Sequence, residues 1–265
     1  MIVALIFAAV ALGSVLFHIL SPWWWTPIAS NWAAIDHTMS LMFWITGGAC
    51  VAVMLFMSFC VFRFRHREGS RAVFEPEGGK LEFWLSTATA LGVGAMLAPG
   101  LIVWNDFITP PNDAMIVEVV GRQWQWSYRF PGKDGVLGSS DTRFVSADNP
   151  LGVDPDDPHG RDDIVIDGDD LHLPLGKPIK LLLRSLDVVH DFYVPEFRAK
   201  MDMMPGMVTY FWLEPTKAGS YEVLCLAFCG VGHPQMRGKV IVESEADYLQ
   251  WLGAGKTFAP KSAAR

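Results

Sequence analysis

Two cysteines, a histidine and a methionine fall within the twelve residues CLAFCGVGHPQM, Cys225–Met236. Cys225 and Cys229 form C-x-x-x-C, His233 follows four residues later, and Met236 three beyond that. Thiolate and thioether with imidazole suit copper rather than magnesium or calcium. A second imidazole is available at His190, in SLDVVHDFYVP, 35 residues before Cys225 and in a strand-then-loop context. An upstream histidine followed by cysteine, histidine and methionine on one loop is the pattern of a one-copper electron-transfer site. A second cysteine lets two thiolates bridge two ions. Two other readings use the same residues. A Cys2His2 zinc site leaves Met236 without a role. A Cys225–Cys229 disulfide leaves the histidines and the methionine incidental.

Such a loop needs a rigid support, and the chain divides accordingly. Half of its 265 residues are hydrophobic (51%) and only 18% are charged, which points to membrane spans joined to a globular part. Three apolar runs lie near residues 2–20, 38–62 and 81–104. The second and third are long enough to cross about 30 Å of hydrocarbon as helices. The first, residues 1–22, reads as an extra transmembrane helix or as a signal peptide. No Lys or Arg precedes it, and HILSPWWW lacks the small-residue cleavage pattern. Trp23, Trp24 and Trp25 suit an interfacial belt. Residues 1–62 hold no Lys or Arg, whereas Arg63, Arg65, Arg67 and Arg71 sit between the second and third runs. The positive-inside rule therefore places that loop in the cytoplasm and everything after about residue 108 outside. In a bacterium this is a multi-pass inner-membrane protein with its soluble part in the periplasm. Cys50 and Cys60 fall in a span and read as packing residues.

The expected organisation is a membrane-anchored all-β protein. A two-helix hairpin over 23–108 follows the first run. A cupredoxin-like Greek-key β-sandwich covers 109–250, and 251–265 forms a tail. The sandwich expectation rests on short alternating runs such as AMIVEVVGRQWQWSYRF, KPIKLLLRS, MVTYFWLEP, GSYEVLCLA and RGKVIVES. EADYLQWLGAG reads as a short helix and KTFAPKSAAR as a loose end. Residues 148–170 carry nine aspartates and one arginine, which reads first as a solvated loop and alternatively as a docking surface for a basic partner. Their spacing does not match an EF-hand loop. From residue 111 onward there are 22 acidic and 16 basic residues, an unfavourable balance for binding nucleic acid.

Taken together, these residues resemble subunit II of the haem–copper oxidases, the cytochrome c oxidase type with a binuclear CuA centre. The family loop C-x-E-x-C-x-x-x-H-x-x-M is matched by Cys225, Ala227, Cys229, His233 and Met236. The family's D-V-x-H is matched at Asp187–His190, and K-x-D-x-x-P-G at Lys200, Asp202, Pro205 and Gly206. Q-W-x-W-x-Y is matched at Gln123, Trp124, Trp126 and Tyr128, and the third run opens with Leu81–Glu82. The similarity runs from about residue 26 to 250.

The resemblance implies two copper ions bridged by Cys225 and Cys229, with His190 and His233 each on one ion. It implies Met236 as a weak ligand and the Ala227 backbone carbonyl as another. Trp124 corresponds to the residue through which electrons enter from cytochrome c, and Glu82 to an acid at the mouth of a proton path into subunit I. Partners would be the haem-bearing subunit I, the other subunits and the donor. Alanine at 227 replaces the family glutamate. It keeps the carbonyl that binds copper and lacks the carboxylate that binds an interfacial magnesium, so the magnesium is doubtful. Met207, Arg122 and Gln125 also depart from the commoner residues. The implied function is electron entry into an oxygen-reducing, proton-pumping terminal oxidase. The alternatives are the CuA-bearing subunit of a nitric oxide reductase of the same superfamily, or a membrane-tethered copper carrier.

Overall fold

The computed structural model describes residues 1–21, 26–69, 71 and 78–258. Trp23, Trp24 and Trp25 and the end of the tail, 259–265, lie outside the described residues. The described chain falls into two compact units, a helical one within 1–21 and 34–103 and a sheet one within 26–33 and 104–258.

Three helices follow the three apolar runs. They are α1 (Ile2–Leu20), α2 (Ala33–Arg63) and α3 (Gly79–Ile108). Each is long and apolar enough to cross a membrane, with mean hydropathies of 2.5, 2.2 and 1.6. α2 and α3 extend beyond the apolar cores read from the sequence, because helical hydrogen bonding continues into the polar flanks. Pro99 lies inside α3.

The sheet unit is a two-layer sandwich. Its strands are β1 (Met115–Arg122), β2 (Gln125–Phe130), β3 (Ile164–Asp167), β4 (Leu171–Pro174), β5 (Ile179–Ser185), β6 (His190–Val194), β7 (Ala199–Met203), β8 (Val208–Leu213), β9 (Gly219–Cys225), β10 (Arg237–Glu243) and β11 (Lys256–Thr257). One sheet runs β11-β3-β2-β1-β5-β8 and the other β4-β10-β9-β6-β7. β1 pairs with β5 in parallel, as does β4 with β10. These crossovers give the cupredoxin-like arrangement. Tyr128, Phe130, Leu181, Leu183, Phe192 and Phe211 fill the space between the sheets.

The run AMIVEVVGRQWQWSYRF reads as one alternating segment. The structure turns it back on itself at Gln123–Trp124, so β1 and β2 form an antiparallel hairpin. β1 is buried on both faces from Val117 to Gly121, whereas β10 alternates. The second face of β1 is covered by the connection from 131 to 163. Leu151 and Val153 from that segment pack on Val120.

The acidic stretch is more internal than a solvated loop. Asp163 is fully buried and pairs with Arg129 Nη1 at 2.7 Å. Arg129 Nε also meets Glu118 Oε2 at 2.7 Å, and Arg184 Nε meets Glu118 Oε1 at 3.1 Å. The two guanidiniums donate onward to the carbonyls of Gly138 and Leu151, so this cluster pins the long connection to the sheet. Asp167 accepts from Arg122, Gln125 and Ser127.

The described residues before 259 continue the fold. α4 (Glu245–Gly253) is capped by Ser244, whose hydroxyl accepts from Asp247 N–H. β11 then pairs with β3, and Phe258 N–H reaches Asp163 O at 2.7 Å.

Candidate metal centre

The donors come from the start of β6, the end of β9 and the connection that follows β9. His190 opens β6, following the loop Leu186–Val189. A strand, β5, and then this loop precede it, and the residue itself begins the next strand. Cys225 ends β9 opposite Phe192, and the connection from Leu226 to Met236 returns the chain to β10. Antiparallel pairing of β9 with both β6 and β10 brings the distant His190 to the loop.

The geometry is tight. Cys225 Sγ lies 3.8 Å from Cys229 Sγ and 3.9 Å from His190 Nδ1. Cys229 Sγ lies 3.6 Å from His233 Nδ1 and 3.8 Å from Met236 Sδ. The Ala227 carbonyl points at Cys225 Sγ, 3.2 Å away. Both cysteines are free thiols and buried, as are His190 and Met236. The ligand atoms of His190, Cys225 and Cys229 lie within 4.8 Å of one another. Sulfurs this close can both touch one ion at a typical metal–thiolate distance of about 2.3 Å. The set therefore fits a soft, borderline ion such as copper. Burial, with the neighbouring Cys225, pushes the Cys229 thiol up to about 11. Metal uptake must therefore displace protons from these sulfurs.

A magnesium ion does not fit this chain in the same way. It needs hard oxygen ligands. Ala227 offers no carboxylate, and among the described residues no carboxylate joins the cluster of potential metal ligands.

Side chains behind the donors orient them. Asp187 Oδ1 accepts from His190 Nε2 at 2.8 Å, which leaves Nδ1 facing the sulfurs. Asp187 Oδ2 accepts the Gln123 backbone N–H at 2.7 Å. Burial raises the Asp187 carboxyl, but the hydrogen bonds from Gln123, His190 and Val188 outweigh it and hold the group below its usual range. Trp126 packs edge-on to His190, with ring centroids 6.3 Å apart. Asp191, next along β6, is fully buried and pairs with Lys200 Nζ at 2.7 Å. Burial and the neighbouring Asp202 carboxylate push the Asp191 carboxyl up to about 6.

Trp124, in the β1–β2 turn, lies against this loop and is 39% exposed. Its Nε1–H and the Gln123 amide both donate to Cys229 O, at 3.2 and 2.8 Å. Gly232 makes room for the ring, since a Cβ there would stand 2.3 Å from Trp124 Cδ2. Glu82 lies in the first turn of α3, in the helical unit, and is not among these residues. Asp187, Gln123 and Gly232 were not singled out as site residues from sequence. Asp187 and Gln123 fall inside the motifs that carried the resemblance, but their bonds to His190 and Cys229 become visible only when the strands are paired.

A cupredoxin-like sandwich, two thiols and two imidazoles gathered from β6, β9 and the loop after β9, and helices ahead of them that are long and apolar enough to cross a membrane define a candidate metal-binding domain on a candidate membrane anchor. The family description "Cytochrome C oxidase subunit II, periplasmic domain" matches residues 115–244. The alternative cytochrome c oxidase subunit 2 of Bradyrhizobium diazoefficiens is 63% identical over 259 residues, covering 98% of this chain and 94% of that protein. Cytochrome c oxidase subunit 2 of Cereibacter sphaeroides is 26% identical over 222 residues, covering 78% and 71%. Among solved structures, the periplasmic domain of subunit II of cytochrome oxidase (CoxB) of Bradyrhizobium japonicum aligns at 24% identity with a TM-score of 0.41, covering 55% of this chain and 95% of that one. The chain belongs to the cytochrome c oxidase subunit II family.

Proposed function

We propose that this chain is the electron-entry subunit of a bacterial inner-membrane terminal oxidase. It would hold a binuclear copper centre in the periplasm, receive electrons from cytochrome c, and deliver them towards haem in subunit I for reduction of oxygen to water coupled to proton pumping. The observation that carries this reading is the convergence of His190, Cys225, the Ala227 carbonyl, Cys229, His233 and Met236 at one end of a stiff sandwich.

In this reading Cys225 and Cys229 would supply the thiolates that hold the copper, His190 and His233 the imidazoles, and Met236 and the Ala227 carbonyl the weaker donors. Bound copper would supply one-electron transfer. The protein's own part is to keep that transfer cheap in reorganisation. Buried strands fix the sulfurs, Asp187 fixes the His190 ring, and the sandwich core excludes water. Trp124 offers a partly exposed aromatic edge that touches Cys229 through its hydrogen bond, which suits it to electron entry. Glu82 is proposed as the acid at a proton-path entrance. No role is assigned to magnesium.

Metal analysis and electron paramagnetic resonance of the purified protein test the reading. Two coppers per chain with a mixed-valence signal are expected; one zinc and no copper would overturn it. Ala227 also keeps a nitric oxide reductase in view, because the missing carboxylate separates this loop from the commoner oxidase pattern. Oxygen against nitric oxide consumption by the intact complex distinguishes the two.

A further inference from the structure

The helical unit carries a contact that bears on the fate of the first nineteen-residue helix. α1 exposes most of its apolar side chains, yet Ala4 and Ala11 are buried, at 4% and 3%. They are seven residues apart, and so lie on one face of the helix. Small residues on one face let a second backbone approach closely. That second helix is α2. The Ser58 hydroxyl donates to the Ala4 carbonyl at 2.7 Å. Towards the other end, His18 meets Trp44 edge-on, with ring centroids 5.9 Å apart. The two contacts are separated by fourteen residues on each helix, and they run in opposite directions. An antiparallel pair in constant register over about 21 Å satisfies both.

We infer that α1 is retained in the mature protein as a third transmembrane span, docked antiparallel on the Trp44–Ser58 face of α2. A leader that is removed has no need of a register-matched seat on the helix it precedes. The charge pattern agrees. Arg63, Arg65, Arg67 and Arg71 follow α2, so α2 runs inward and an antiparallel α1 runs outward from a cytoplasmic N-terminus. The alignment with the Bradyrhizobium diazoefficiens relative spans 259 residues, 98% of this chain, so it takes in most of α1. The inference is independent of the copper reading. It also assigns an occupant to one face of α2, which is then closed to the other membrane subunits.

Two measurements decide it. Intact mass and N-terminal sequencing of the unmodified protein, extracted from membranes, should show a chain beginning at residue 1 or 2. A mature N-terminus beyond residue 20 overturns the inference. The packing is tested in the full chain with Cys50→Ala and Cys60→Ala. Oxidation of Ala4→Cys/Ser58→Cys should yield a cross-linked peptide about tenfold more efficiently than Leu5→Cys/Ser58→Cys, whose first position is turned away from α2. Equal or reversed yields would overturn the docked register even if the helix is retained.

Discussion

At the residue scale, the decisive group outside the donor set is Asp187. It is bonded both to the ring of a proposed ligand, His190, and to the backbone of the Gln123–Trp124 turn. One carboxylate therefore sets the orientation of a metal-facing imidazole and the seat of the exposed indole. Asp187→Asn keeps the shape but gives up charge and one full acceptor. Loss of such a support typically costs 10–100-fold in metal affinity. Competition of the variant against a graded series of copper chelators should show a drop of about that size with the fold intact by circular dichroism. Unchanged affinity would mean that the strands alone hold His190. Ala227 teaches a different lesson at this scale. A backbone carbonyl is supplied by any residue type, so alanine here leaves the proposed copper set whole and lacks only what a longer side chain would carry.

At the element scale, the long connection from 131 to 163 is held to the first sheet by buried charge. Glu118 on β1 sits between Arg129 on β2 and Arg184 on β5, and the arginines reach the carbonyls of Gly138 and Leu151. Burial raises the Glu118 carboxyl, and the two guanidiniums outweigh it, leaving the group below the usual carboxylate range. Its contribution to stability is therefore complete above that range and is lost as pH falls through the lowered value. Asp163 acts in the opposite sense, because burial pushes its carboxyl up despite Arg129. Glu118→Gln leaves two buried cations short of a counter-charge, a change that typically costs about 3–5 kcal/mol. Thermal melts of the full protein should show a large loss at neutral pH that narrows on acidification. A pH-independent difference would mean that packing rather than charge dominates there.

At the scale of the whole molecule, the proposed electron entry makes a prediction about charge. The acidic surplus after residue 111 belongs largely to the sheet unit, and part of it lies close to Trp124. Asp167 bonds Gln125, two residues from the start of the Gln123–Trp124 turn, and Asp169 is exposed on the same β3–β4 connection. A basic cytochrome c would be steered to this end of the sandwich, and steering is screened beyond about 8 Å at physiological salt. Stopped-flow reduction of the copper-loaded protein should slow about tenfold between low and physiological ionic strength. A flat dependence would point to docking through apolar contact instead.

Much of this was legible in the chain itself. The loop Cys225–Met236 carries its donors at short fixed spacings, so their chemistry could be read without a fold. The helices were readable because apolar length is a local property. Other features depended on contacts between distant segments. The alternation of AMIVEVVGRQWQWSYRF runs straight through a turn, since Gln123 and Trp124 obey the same pattern as the strands they separate. The acidic stretch looked solvated because nothing local shows that Asp163 faces Arg129 across the sheet. His190 could be nominated from its motif, but only β6 pairing with β9 places its ring against Cys225. Residue type and near spacing determined which metal chemistry was available. Strand order, and the close approach it enforces between segments far apart in sequence, decided where that chemistry is held and what supports it.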